Sequence, residues 1–226
     1  MDSIISQLAE NVILGRDDGQ APFPEDKAGQ PGVLELTQQA LDAGIAVQDI
    51  LDLGLLAGMD IVGERFKVGD LFIPEVMISA QALRTGMEVL RPSLSAAGLE
   101  PAHKVVIGTV EGDLHDIGKS LVSMMLQGAR FEITDLGVDV AAHTFVEAVR
   151  NIRPRIVALS SLLTTTMPAM KRVIDALNEA GLREQVKILV GGAPLTQEYA
   201  AAIGADAYGT DAVLAVEKAR ELLGLG

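Results

Sequence analysis

The chain has 226 residues, enough to bury a core without covalent staples, and it contains no cysteine, which excludes disulfides, zinc–thiolate sites and a catalytic thiol. Any metal must therefore be held by histidine, carboxylates or a bound organic cofactor. With 31 acidic against 18 basic residues the formal charge is -13, aromatics make up 3% and Trp is missing, so nucleic acid and anionic membranes are repelled and few platforms exist for stacking bases.

The N-terminal residues Met1-Asp2-Ser3-Ile4-Ile5 lack the basic stretch of a secretion signal, and no apolar run reaches the roughly 18 residues of a bilayer span. A cytoplasmic protein is expected, with neither a membrane nor a nucleic-acid partner. From Ile4 to Arg91 the apolar residues keep helical spacing; Leu51, Leu55, Met59, Val62 and Phe66 mark one face, and Val76, Ala80, Leu83, Met87 and Leu90 another. This predicts four helices near 4–14, 33–43, 47–67 and 74–91, with Pro74 in a first turn, where its missing N–H costs nothing. The Pro- and Gly-rich charged stretch Gly15 to Gly32 reads as a long, weakly ordered loop, and Pro92 to His103 as a linker.

Beyond that linker the pattern becomes short, often β-branched apolar runs alternating with helical stretches: Val105 to Val110, Phe131 to Leu136, Arg155 to Ser160, Lys187 to Val190 and Ala205 to Tyr208. Parallel strands need crossovers, so such alternation predicts a doubly wound parallel sheet whose ligands bind beyond the carboxyl ends of the strands. The expected organisation is a helical domain over 1–91, a linker over 92–103 and an α/β domain over 104–226.

Three of the loops at the carboxyl ends of these strands carry chemistry. After the first strand, Glu111-Gly112-Asp113-Leu114-His115-Asp116-Ile117-Gly118-Lys119-Ser120 leads into an apolar helix. Asp113, two residues before His115, is placed to accept the imidazole N–H and fix the tautomer, which leaves the other nitrogen as a metal ligand; Gly118 admits a bulky planar group. An isolated His is more often a surface or capping residue, and His103 and His143 are read that way. The third strand runs into Ser160, Ser161, Thr164, Thr165 and Thr166, for some of which helix capping before Pro168 is the plain reading. The fourth ends in Gly191-Gly192, alone merely a turn. If strand order is 2-1-3-4-5, these loops share one rim.

The set Asp113-x-His115-x-x-Gly118, Ser160-x-Leu162 and Gly191-Gly192 resembles the cobalamin-binding domains of methionine synthase and of methyltransferase corrinoid proteins. The likeness extends to Gly58-Met59-Asp60-Ile61-Val62-Gly63-Glu64-Arg65-Phe66 and Gly69-Asp70-Leu71-Phe72-Ile73-Pro74-Glu75-Val76-Met77, which resemble the helical cap of those proteins. The resemblance implies a four-helix-bundle cap before a flavodoxin-like (Rossmann-like) domain with a five-stranded parallel sheet. It implies cobalamin or a related corrinoid as cofactor, base-off, with His115 as the cobalt ligand and a methylcobalt form in turnover. Asp113 and Thr166 would modulate the protonation of that ligand, Thr166 standing where methionine synthase has a Ser. Asp116, Ile117, Gly118, Ser160, Leu162, Thr164, Gly191 and Gly192 would complete the cofactor site. The chain would be non-catalytic alone, carrying methyl groups from a donor-specific methyltransferase to an acceptor methyltransferase that uses tetrahydrofolate or a thiol, with a reductive activase as a further partner. Met59, Phe66, Phe72 and Met77 are read as core. Rival readings are a cobalamin-binding sensor or regulator, the small subunit of a cobalamin-dependent mutase, and a phosphate-accepting receiver domain.

Overall fold

A computed structural model describes residues 3–98 and 103–225. The chain divides into two compact units, Met1–Glu100 and Pro101–Gly226. Among the described residues no helix is long and apolar enough to cross a membrane.

The first unit is helical. Helix α1 (Ile4–Ile13) is capped by the Ser3 hydroxyl, which accepts the Ser6 N–H; α2 covers Val33–Asp42 and α5 covers Ile73–Ala96. Between them α3 (Val47–Asp49) continues through a π-helical stretch, Ile50–Leu56, into α4 (Ala57–Lys67). These are the four helical stretches expected from the spacing. Their apolar stripes meet in a core that includes Leu8, Val12, Val33, Leu36, Leu55, Val62, Val76, Leu83 and Leu90. Close approach depends on Gly58, where a Cβ would lie 2.7 Å from the carbonyl oxygen of Ala9.

Three expectations for this unit change. Of the residues read as core, Met59 is buried and Phe66 half-buried, but Phe72 and Met77 are exposed at the start of α5, outside the apolar stripe that faces the bundle. Helix α5 runs past Pro92 to Ala96, so the anticipated linker is helical over its first residues. Pro92 and Glu88, whose carbonyl the proline deprives of its helical donor, both lie on the exposed side of the helix, where that carbonyl is open to solvent. At the other end of the anticipated linker, His103 opens the first strand; residues 99–102 lie outside the described residues. The stretch from Gly15 to Gly32 is a loop, as expected, but an anchored one. Arg16, only 1% exposed, donates through Nη2 to the Gln30 carbonyl, and its own carbonyl accepts the Val33 N–H. Glu35 accepts the N–H groups of Gly19 and Gly32, and Lys27 pairs with Glu10 at 2.6 Å. Charge and hydrogen bonding hold what apolar burial does not.

The second unit alternates strand and helix: β1 (His103–Thr109), α6 (Ile117–Gly128), β2 (Phe131–Asp135), α7 (Ala142–Ile152), β3 (Ile156–Ser160), α8 (Met167–Glu179), β4 (Lys187–Gly191), α9 (Gln197–Ile203), β5 (Ala207–Gly209) and α10 (Ala212–Leu223). The five strands pair in parallel in the order β2-β1-β3-β4-β5. One face of the sheet, including Val106, Val157, Leu159, Ile188 and Val190, packs with Phe145, Val149, Met170, Val173 and Leu177 of α7 and α8. The alternating residues Val105, Ile107, Ile156, Ala158 and Leu189 fill the other face, which α6 and α10 cover. Register sets the position of the site: Thr109 pairs with Ser160, Ser160 with Gly191, and Gly191 with Gly209. The loops after β1, β3 and β4 therefore leave the sheet at one level, side by side, at the place where strand order reverses.

Candidate cofactor site

Between β1 and α6 the chain makes a turn, with the Asp113 N–H donating to the Val110 carbonyl, and then runs as an irregular loop through Asp116. Asp113 is fully buried within this loop. Its Oδ1 accepts the His115 backbone N–H at 3.1 Å and lies 2.7 Å from the imidazole Nδ1. Its Oδ2 accepts the Leu162 N–H at 2.7 Å, the Leu163 N–H at 3.3 Å and the Thr166 hydroxyl at 2.7 Å. Burial by itself raises the Asp113 pKa, but the donors from Leu162, Thr166 and His115 outweigh it and hold the carboxyl well below the usual carboxylate range. An anion so held accepts a proton from Nδ1 in a hydrogen bond rather than taking it. The neutral imidazole is thereby fixed as the Nδ1–H tautomer with its Nε2 lone pair free.

The hydroxyl row divides. Thr166 stands at the N-cap position of α8, yet its side chain does not cap that helix; it turns to Asp113 instead. Ser161, unassigned on sequence, is fully buried, with its Oγ 2.8 Å from Thr166 Oγ1 and 3.5 Å from Asp113 Oδ2. Each hydroxyl has one proton, so when Thr166 donates to Asp113, Ser161 is the donor to Thr166. Ser160 is half-buried at the end of β3, whereas Thr164 is exposed and apart from the Asp113 network. Thr109, also unassigned on sequence, is buried and donates through Oγ1 to the His115 carbonyl at 2.8 Å. Gly191 ends β4 and Gly192 follows it, and a Cβ at Gly192 would lie 1.8 Å from the Ser161 carbonyl oxygen. That glycine admits the neighbouring loop of the chain itself. His103, expected to be an ordinary residue, is at the start of β1, and His143 is exposed in α7.

Asp116 and Gly118 are exposed on the loop and at the start of α6. Lys119, with its side chain 2% exposed, places Nζ 2.7 Å from Asp116 Oδ1 and in contact with Asp135 Oδ2. The Lys119 bond is the first cause that holds the Asp116 carboxyl below its ordinary range. Replacing it, Lys119→Met, is expected to return Asp116 toward the ordinary carboxylate range, checked by titrating the side-chain carboxyl carbon by NMR.

The surroundings of His115 suit a large planar ligand. Its side chain is 50% exposed, between Leu114 at 72% and Ile117 at 70% exposure, apolar residues left open at a loop that is otherwise polar. A Cβ at Gly118 would meet nothing within 4 Å. Ser123, on the covered side of α6, has a buried hydroxyl oxygen with no hydrogen-bond partner. No group of three or more His, Asp or Glu side chains gathers into a metal site among the described residues. One imidazole with a free Nε2 is a single donor, which would suit a metal whose other ligands come with a macrocycle.

A loop histidine oriented by a buried carboxylate, at the switch point of a parallel sheet, defines a cofactor-binding protein of the doubly wound class. Residues 103–217 match the model described as the B12 binding domain, and residues 29–91 match a second model of that description. The chain is 48% identical over 223 residues to dimethylamine corrinoid protein 1 of Methanosarcina acetivorans, covering 98% of both chains. It is 44% identical over 216 residues to trimethylamine corrinoid protein 1 of the same organism, covering 95% of this chain and 98% of that one. Among solved structures it is similar to the methanol:cobalamin methyltransferase complex of Methanosarcina barkeri, with a TM-score of 0.84 at 32% identity over 99% of this chain and 80% of that one. A cobalamin-binding protein of Desulfitobacterium hafniense DCB-2 is similar with a TM-score of 0.72 at 30% identity, over 98% and 99%. The chain belongs to the B12-binding corrinoid proteins. Its cofactor is cobalamin or a related corrinoid.

Proposed function

We propose that this chain is the methyl carrier of a multicomponent methyltransferase system, binding its corrinoid base-off with His115 as the axial ligand to cobalt. The observation that carries the reading is the pairing of a half-exposed His115 imidazole with buried, anionic Asp113 at 2.7 Å. Cobalt, when bound, supplies the nucleophile that accepts a methyl group and the centre that gives it up. The protein holds Nε2 in its metal-binding tautomer, through Asp113, and keeps a further proton donor in place through Thr166 and Ser161. Leu114 and Ile117 would offer apolar surface to a corrin, and Gly118 would leave room for it. Ser160, Leu162, Gly191 and Gly192 form the adjoining rim for its nucleotide tail, with Thr164 and Asp116 at the periphery.

The relatives named for trimethylamine and dimethylamine favour a donor methyltransferase acting on a methylated amine. The acceptor enzyme would pass the group to tetrahydrofolate or a thiol, and a reductive activase would restore cobalt after oxidation. Cytoplasmic residence is consistent with such partners.

The test is reconstitution with hydroxocobalamin, removal of free cofactor by gel filtration, and cobalt(II) EPR of wild type and His115→Ala. Wild type is expected to show the hyperfine splitting of one imidazole nitrogen, and the variant to lose it together with most of the retained corrinoid. Equal spectra from the two proteins overturn the assignment of His115.

A further inference from the structure

The loop that carries His115 has little structure of its own, so what fixes its position is decided by neighbouring elements. The end of β2 and the segment that follows it, Asp135 to Val140, grip it on both sides of the histidine. On the N-terminal side Asp139 Oδ1 accepts the Gly112 N–H at 2.7 Å, and the Asp139 N–H donates to the Asp113 carbonyl at 2.9 Å. On the C-terminal side Asp135 holds the buried Lys119 ammonium, which also binds Asp116. The base of the loop is tied to the same segment, since the Thr109 N–H donates to Gly137 and the Val140 N–H to Thr109. Asp139 has φ +53, a left-handed conformation that Asp tolerates better than most residues.

We propose that Asp139 is a positioning residue for the cobalt ligand, acting through Gly112 and Asp113, with Lys119 and Asp135 as its counterpart beyond His115. The proposal rests on the assignment of His115 as that ligand. A loose Gly112 frees the turn in which Asp113 sits, and the imidazole follows Asp113. A bond to a fixed lone pair needs that pair held to a fraction of an ångström, so the effect is on ligation rather than on folding.

Asp139→Gly keeps the left-handed backbone and the N–H bond to Asp113 but removes the acceptor for Gly112; Asp139→Asn keeps both. In the corrinoid-loaded full chain, the imidazole-ligated fraction of cobalt(II) measured by EPR is expected to fall about threefold or more in Asp139→Gly, with a shifted cobalt(II)/cobalt(I) potential, and to return in Asp139→Asn. In the cofactor-free chain, imidazole nitrogen NMR is expected to show His115 as one Nδ1–H tautomer in wild type and Asp139→Asn, and as a tautomer mixture in Asp139→Gly. Lys119→Met is expected to give the same mixture. An unchanged tautomer in both Asp139→Gly and Lys119→Met, or no rescue by Asp139→Asn, overturns the proposal. The NMR arm does not involve cobalt, so it decides the role of Asp139 even where the EPR comparison of wild type with His115→Ala removes His115 as the ligand.

Discussion

Asp113→Ala is expected to destabilise the cofactor-free second unit by about 2–4 kcal/mol, measured by denaturant unfolding. The variant strands the N–H groups of Leu162, Leu163 and His115, which belong to exposed residues but whose bonds to Asp113 are part-buried, at up to about 1–3 kcal/mol per lost partner. Part of that is recovered because Thr166 already has a second acceptor, the Leu163 carbonyl at 2.9 Å. Asp113→Asn is not a mild substitute. A carboxylate accepts on both oxygens, whereas an amide accepts on one, so whichever way it is turned an NH2 group faces N–H donors. With the amide oxygen toward Leu162, the NH2 donates to Nδ1, the ring proton moves to Nε2, and the lone pair assigned to the metal is lost. The expected outcome is therefore loss of the imidazole signature in Asp113→Asn even where the corrinoid is retained; an undiminished signature would sink the tautomer argument. The pH dependence has a definite sign. Asp113 is depressed below its unfolded value of about 3.9, so its contribution is fully present above that value and is lost as pH falls toward the folded one. Asp113→Ala should flatten the acid limb of the stability profile below about pH 4.

Gly192→Ala is the second large effect. The added Cβ would stand 1.8 Å from the Ser161 oxygen, and the residue has φ +139, where side chains are strained. The obstacle is backbone, so the loop after β3 must move, and with it Ser161, Leu162 and Thr166. A loss of about 3 kcal/mol or more is expected from thermal melts, with the Asp113 donors displaced as well. Gly118→Ala is the informative contrast. Its Cβ meets open space at the start of α6, so the cofactor-free chain should gain a few tenths to about 1 kcal/mol from helix propensity, while corrinoid retention falls because the vacant space is where a planar ligand would lie. Retention equal to wild type would place the ligand elsewhere.

The helices and strands were legible because their apolar spacing is carried by each segment alone: the steps Leu51, Leu55, Met59, Val62 specify one stripe, and the β-branched runs specify a buried parallel sheet. His115 and Asp113 were legible for a similar reason, since two residues of separation suffice for a carboxylate to reach the ring. What escaped depends on the crossing of distant loops. Thr166 was tied to Asp113 only through the family resemblance, and Ser161, which meets the same carboxylate across about fifty positions of sequence, was given no role; the Gly112–Asp139 bond likewise spans two loops. Nothing in a hydroxyl-rich stretch tells which oxygen turns inward. The close approach of Gly192 to the Ser161 carbonyl escaped for the same reason, because it joins the ends of two separate strands. The helix through Pro92 escaped because proline removes one bond wherever it falls, but the cost depends on whether the freed carbonyl faces solvent or core, which spacing does not reveal.

The burial of Arg16 gives the first unit its own indicator of opening. A protease that cleaves after basic residues needs its target in an extended, accessible strand, and the bond after Arg16 lies behind the carbonyl contact to Val33 and the guanidinium contact to Gln30. Cleavage there must wait for the anchored loop to detach from α2, so at low protease concentration its rate follows the population of that detached state. The bond after Arg16, in a loop whose composition suggests ready digestion, should instead persist for as long as the helices beneath it stay together.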